Sequence, residues 1–240
     1  MSYSFKEKLS KLVHLFISRI LSAIKGEEFI LDKAIPIWYL FHLLVRRGMM
    51  IVRGFLIFRR RVLCFVDNDV KLFCKGKIGI SHGVTIQRNV FIDALSIDGV
   101  QLGRNVSIGK NCTIECTGSL RSIGKGLVVG DGVGMGAQGF WGCAGGIVVG
   151  SNTIFGNFVS LHSENHNYDD INRPIRCQGV NRIGIKIGKD CWIGAKVTIL
   201  DGVEIEDGCV IAAGAVLTKG VYQKNGVYGG VPAKLIGKRG

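Results

Sequence analysis

Apolar residues follow two different rhythms along this chain. Up to residue 61 they recur at steps of three and four. Leu9, Leu12, Val13, Phe16, Ile17, Ile20, Leu21 and Ile24 mark one face of an amphipathic helix, with Lys11, His14, Ser18 and Ser22 on other faces. A second apolar run, AIPIWYLFHLLV over 34–45, ends at Arg46 and Arg47. A third, over 48–58, is broken by Arg53 and closes at Arg59, Arg60 and Arg61. The 34–45 run falls short of the ~20 apolar residues that a membrane span needs.

From Ile80 the period becomes six. Large apolar anchors stand at 80, 86, 92, 102, 108, 114, 120, 129, 135, 141, 149, 155, 161, 187, 193, 199, 205, 211 and 217. Sixteen of the 19 are Ile, Leu or Val, and the others are Met135, Trp141 and Phe155. The next position is Gly in nine hexads, and the fifth is small, as at Val84, Cys112, Thr153, Cys191, Cys209 and Ala215. Neither a helix nor an ordinary exposed strand has this period. It fits a solenoid of flat faces and tight corners, in which the anchor points inward and the small residue packs beside it. Three hexads make one three-sided coil, stacked on the next at ~4.8 Å. Nineteen hexads make about six coils. This pattern predicts an all-β hexapeptide parallel β-helix, left-handed as in known cases. The phase slips four times: between 92 and 102, 120 and 129, 141 and 149, and by twenty residues between 161 and 187. Insertions at corners are compatible with a solenoid, and the long one marks a functional loop.

The expected organisation is a basic helical segment over 1–61, a β-helix over 62–222 with a loop insertion at 167–186, and a tail over 223–240. With 47% apolar and 20% charged residues the chain is no disordered polar polymer. Its 35 Gly and 3 Pro suit many tight corners. The formal charge of +13 is uneven: residues 1–61 carry 12 Lys/Arg and 4 Asp/Glu, a net of +8. Two readings of that segment stand. Its helices cap the rest of the domain, or they lie on an anionic membrane surface with Trp38 and Tyr39 at the interface. Nucleic acid is not expected as a partner, because the basic residues are interleaved with large aliphatics.

The eight cysteines form no CxxC pair. Cys112, Cys191 and Cys209 fall on the small fifth position and read as core. With no signal-peptide pattern at the N-terminus, reduced thiols and a cytoplasmic setting are expected, peripheral on the inner face of the cell membrane if 1–61 binds it. Gly134, Gly136 and Gly139 match a dinucleotide fingerprint, but no helix is predicted after them. No metal is expected. His82 lies about four coils, or ~19 Å, from His162 and His166.

Four segments carry a resemblance: HSENHNYDD (162–170), IGKDCWIGAKVTILDGVEI (187–205), IAAGAVLTKGV (211–221) and GGVPAKLIG (229–237). In this order they resemble the hexapeptide-repeat acyltransferases, in the branch of sugar and polysaccharide O-acetyltransferases that also holds the xenobiotic acetyltransferases. The resemblance implies transfer of an acetyl group from acetyl-CoA to a hydroxyl of a glycan, lipid-linked or in a surface polysaccharide. It implies a homotrimer with the coenzyme in the groove between neighbouring subunits. It places the general base at His166, with His162 as competitor. Coenzyme contacts fall on Ala195, Ala213, Thr218, Lys219 and Lys234, with Lys238 and Arg239 beyond. Tyr168, Asp169 and Asp170 could bind sugar hydroxyls, and Asn157 and Glu164 either orient His166 or meet the acceptor. Arg173, Arg176 and Arg182 could hold a phosphate or carboxylate. A hydroxyl attacks a thioester poorly at neutral pH unless a base such as His takes its proton, so this residue set suits the reaction. A detoxifying acetyltransferase and a non-catalytic trimeric scaffold remain as alternatives.

Overall fold

The computed structural model describes residues 12–15, 17–19, 22, 28, 30–59 and 62–240. These divide into two compact units, 1–49 and 50–240. In the first, residues 12–15, 17–19 and 22 are helical. Of the predicted amphipathic face, Leu9, Phe16, Ile20, Leu21 and Ile24 lie outside the described residues, as do Arg60 and Arg61. The second and third apolar runs merge into one helix, Ile37–Phe58, of 22 residues. Among the described residues no helix is long and apolar enough to cross a membrane. The last turns of this helix, in the second unit, pack on the start of the β region. Ile57 and Phe58 touch the core, and a Cβ at Gly54 would stand 2.5 Å from the carbonyl oxygen of Cys64.

From Cys64 onward the strands visit three sheets in turn. The first sheet has nine strands, from Cys64–Val66 to Lys234–Lys238. The second has seven, from Lys71–Phe73 to Val216–Leu217, and the third seven, from Ile78–Ile80 to Gly220–Tyr222. Every pairing within them is parallel except the last, where Gly226–Gly229 meets Lys234–Lys238. Residues exactly one circuit apart pair, as Ile147 with Leu127 and with Ile185. This architecture is consistent with a hexapeptide-repeat β-helix. Seven strands in the second and third sheets make seven circuits, one more than the anchors from Ile80 predict. The extra circuit opens the stack through Val66, Leu72 and Ile80, where a 3-10 turn at Lys75–Lys77 breaks the sixfold spacing.

Eighteen of the 19 anchors are buried. The exception is Leu120, which is 85% exposed, so it is no anchor. Residues 116–126 instead form one loop between Thr113–Glu115 and Leu127–Val129. The fifth-position residues pack beside the anchors, and Cys112, Cys191 and Cys209 are buried with them. Burial raises all three thiols, Cys191 to about 11, which fits inert core residues. The segment after Gly134–Met135 runs into another strand, Phe140–Gly142, not a helix.

The glycines at the second hexad position have a different cause from the one expected. They do not hold positive φ; that role falls to the fourth position, as at Asn89, Asn105, Asn111 and Asn152. The second-position glycines lie where circuits nearly touch. A Cβ at Gly136 would stand 2.2 Å from the oxygen of Gly156, and one at Gly156 2.5 Å from the nitrogen of Ala195.

All extra residues collect at one edge. We call the passage from the first sheet to the second the first corner, and that from the second to the third the second corner. Anchors across the first corner are always six apart, as in 135 to 141 and 193 to 199. Anchors across the second corner are eight apart at 72–80 and 141–149, ten at 92–102, fifteen at 114–129 and twenty-six at 161–187.

Candidate active site

The longest insertion rises from the second corner of the fifth circuit. Its base is Ser163, whose buried hydroxyl donates to the Gly142 carbonyl at 2.8 Å and accepts from the Gly145 amide at 2.9 Å. Beyond it, Asn165–His166 pairs antiparallel with Val180–Asn181, His166 opposite Val180. This two-stranded arm belongs to none of the three sheets. His166 is exposed on it. Between the strands, Gln178 closes the turn: its Nε2 donates to the carbonyls of Asp170 and Arg173 at 2.8 Å each, and its Oε1 accepts from the Asp170 amide at 3.1 Å. Tyr168 and Asp169 are exposed beside it.

The arm returns to the three-sheet stack through Asp201. This buried carboxylate accepts the amides of Ile183, at 2.9 and 3.0 Å, and Gly184, at 2.7 Å. Glu164 and Arg182 close the base of the arm with a 2.6 Å ion pair. Arg182 is therefore not a free anion-binding cation, and Glu164 faces Arg182. Arg173 and Arg176 are both exposed, and Arg173 Nη2 donates to the Cys177 carbonyl at 2.7 Å within the loop.

His162 occupies a different setting. It ends the strand Ser160–His162, half-buried, with its ring 5.4 Å from that of Phe140 and tilted by 31°. Burial lowers its pKa, which favours the neutral imidazole.

The residues assigned to the coenzyme separate into three places. Thr218 and Lys219 stand at the second corner of the seventh circuit. There the stem of Lys219 passes Gly202: a Cβ at that glycine would be 2.9 Å from Cγ of Lys219 and 3.1 Å from Cδ1 of Ile183, at the base of the arm. Both the amide and the carbonyl of Thr218 bond the Tyr222 hydroxyl, at 3.0 and 3.1 Å. Ala195 and Ala213 are exposed at the first corner of the sixth and seventh circuits. They are small where a Cβ at Gly194 would stand 2.6 Å from the Ala213 nitrogen, so the backbones there are in close approach. Asn157 belongs to this corner, not to the arm, and its Oδ1 accepts the Ala137 amide at 2.9 Å. Phe158 and Lys196 beside it hold positive φ of 62° and 59°. Lys234 lies on the antiparallel strand that ends the first sheet. Lys238 is exposed there, whereas Arg239 pairs with Asp190 at 2.8 Å.

Sequence reasoning had no signal for Gln178 or Asp201, nor for the partner of Arg182. Their roles depend on which loops stack on which. Among the described residues no three His, Cys, Asp or Glu side chains come together as a metal site.

Comparison with known proteins agrees with this architecture. Residues 184–219 match the bacterial transferase hexapeptide (six repeats) family. A probable acetyltransferase of Mycobacterium tuberculosis is 31% identical over 146 residues, which are 60% of this chain and 45% of that protein. The chain thus spans a little under half the length of this curated relative. Among solved structures, the Bacillus cereus N-acyltransferase AntD, crystallised with dTDP-4-amino-4,6-dideoxyglucose and coenzyme A, has a TM-score of 0.50 at 16% identity. The match covers 75% of this chain and 85% of that one. A maltose O-acetyltransferase from Clostridium difficile aligns at 19% identity with a TM-score of 0.40, over 82% of this chain and 88% of that one. Residues 184–219 thus match a hexapeptide transferase family, and the fold resembles that of AntD.

Proposed function

We propose that the chain is an acetyl-CoA-dependent O-acetyltransferase that acts on a sugar hydroxyl, with His166 as general base and a left-handed β-helix as scaffold. One observation carries the reading: all the residues assigned to the reaction except Lys234, which lies on the strand that ends the first sheet, divide between two corners of one stack. The His166 arm, Thr218 and Lys219 share the second corner. Ala195 and Ala213 share the first, about 17 Å away along five extended residues. A cleft between the second corner of one copy and the first corner of the next brings both sets to a single coenzyme. A homotrimer supplies three such clefts.

In that cleft His166 takes the proton from the acceptor hydroxyl as its oxygen attacks the thioester carbonyl. The tetrahedral intermediate then expels the thiolate, and the same imidazole returns the proton to sulfur. Lys219 and Lys234 suit the phosphates of the coenzyme. Exposed Tyr168 and Asp169 offer hydrogen bonds to sugar hydroxyls. His162 is the weaker candidate for the base, because its half-buried ring packs beside that of Phe140.

The test is thiol release from acetyl-CoA with maltose, nucleotide-linked amino sugars and extracted glycans as acceptors. His166→Ala should lower kcat about 100-fold or more. Turnover that survives this substitution rejects the mechanism. Failure of the chain to bind coenzyme A in calorimetry favours the non-catalytic scaffold.

We further propose that the reaction takes place at an anionic membrane surface, where lipid-linked glycans are assembled. The Ile37–Phe58 helix contains no acidic residue and exposes Trp38 by 71% and Phe55 by 61%. Arg46, Arg47 and Arg53 lie along it. Exposed apolar side chains beside basic ones, of which Arg47 is exposed while Arg53 pairs with Asp67 at 4.0 Å, suit an interfacial position. Equal recovery of the chain with anionic and with neutral vesicles would reject this part.

A further inference from the structure

We infer that Arg182 is a positioning residue, the keystone of a buttress that fixes the arm bearing His166. The inference rests on the proposed role of His166. It explains why insertions recur at the second corner of circuits that carry no assigned chemistry.

The buttress starts in the second circuit. Its insertion presents the Ile97 amide, which donates to the Gly124 carbonyl of the third circuit's insertion at 2.9 Å, and Ser96 bridges Gly124 in parallel. Thr117 ties the same two loops, donating to the Leu95 carbonyl while it accepts the Gly124 amide at 2.8 Å. The 116–126 loop is thus held from below.

Its tip in turn receives Arg182 from the fifth circuit. The guanidinium Nη1 donates to Ser122 Oγ at 3.0 Å and to the carbonyls of Ser122 and Ile123 at 3.3 and 3.4 Å. Nη2 donates to the Ser122 carbonyl at 3.3 Å, and Nε donates to Glu164 at 2.6 Å. The fourth circuit's corner is short and built of Cys143, Ala144, Gly145 and Gly146, so Arg182 crosses above it without obstruction.

Glu164 precedes His166 by two residues, and Arg182 directly follows the opposing strand. One planar cation therefore fixes both strands of the arm to an insertion 60 residues earlier. The two side chains are only 17% and 25% exposed, which limits competition from water. A lysine cannot make this set of contacts, because its single ammonium lacks the fork of donors.

The experiment uses the full chain and three variants: Arg182→Ala, Arg182→Lys and Ser122→Ala. Amide exchange is read at Asn167, which bonds the Gly179 carbonyl across the arm, and at Leu127 and Ile147 in the third sheet. In Arg182→Ala, exchange at Asn167 should rise about tenfold or more, with Leu127 and Ile147 unchanged. Its kcat should fall about tenfold, with KM for acetyl-CoA unchanged. Arg182→Lys should restore neither, and Ser122→Ala should show a smaller effect of the same kind. Unchanged exchange at Asn167 in Arg182→Ala overturns the buttress. Faster exchange with undiminished kcat overturns the positioning role. A wild-type chain without turnover rejects the acetyltransferase reading instead, and the exchange at Asn167 still decides whether Arg182 holds the arm.

Discussion

The first and second corners of the three-sheet stack are entered and left by the same short parallel strands, yet they obey opposite rules. At the first corner the spacing never departs from six, and second-position glycines such as Gly136 and Gly156 allow successive backbones to touch. At the second corner the spacing ranges up to twenty-six residues, and side chains such as Arg182 join loops that backbone hydrogen bonds also link. A stacked coil must keep its rise on every face, but extra chain can leave an edge and return without disturbing the ladder. The regular corner sets the pitch. The variable corner is free to acquire chemistry, and there the His166 arm stands.

The contrast is most directly broken by insertion. Two glycines placed between Ala137 and Gln138, at the first corner, should prevent folding. The same pair placed between Ser119 and Leu120, in a second-corner loop, should cost less than about 1 kcal/mol in urea unfolding. Equal effects would show that the two corners do not differ. Substitution gives the next largest effect. Ile114→Ala should cost about 2–5 kcal/mol, while Leu120→Ala, at another Ile/Leu position of the same sequence rhythm, should stay within about 0.5 kcal/mol.

Smaller effects separate chemistry from scaffold. Lys219→Gln should raise KM for acetyl-CoA several-fold, more at low salt than at high, with the unfolding midpoint unchanged. A KM independent of Lys219 and of salt would remove this lysine from the coenzyme site. The smallest effect is in pH. Partial burial lowers the pKa of His162 below its ordinary value of 6.5, so the unfolded chain binds the proton more tightly than the folded one. The stability tied to neutral His162 is then complete above about pH 6.5 and declines on acidification towards the lower folded value. His162→Gln should flatten that part of the profile between pH 7 and 5, as read by urea midpoints, and a profile unchanged by the substitution would count against it.

Much of the scaffold was legible in the sequence because one anchor per strand repeats one physical demand. Phe155 and Trp141 satisfy it as well as Ile or Leu, so the rhythm survives changes of residue. Leu120 shows the limit: spacing alone cannot tell an anchor from an apolar residue that happens to lie six positions on. The opening circuit was hidden for the converse reason, since the 3-10 turn at Lys75–Lys77 disrupts its spacing. Among the candidate residues, the motif segments pointed to His166, Ala195 and Ala213, but not to the alanines' occupying a different corner from the arm. Corner identity requires the count of circuits, and the long insertion conceals it. Arg182 is legible as a loop cation and nothing more. Its partners Ser122 and Ile123 are neighbours only after two circuits have stacked.

The final hairpin has a consequence for self-association. A parallel stack ends in an open rim of amides and carbonyls, and identical rims could join end to end into a growing fibre. In this molecule the chain folds back after Gly226–Gly229, so the outermost strand of the first sheet is antiparallel and carries Lys234 and Lys238. A newcomer adding in parallel register would meet a reversed strand and positive charge. At the opposite rim, Gly54 and its helical neighbours lie against Cys64. The first sheet is thereby covered at both of its edges, which removes two of the rims on which a growing fibre would build.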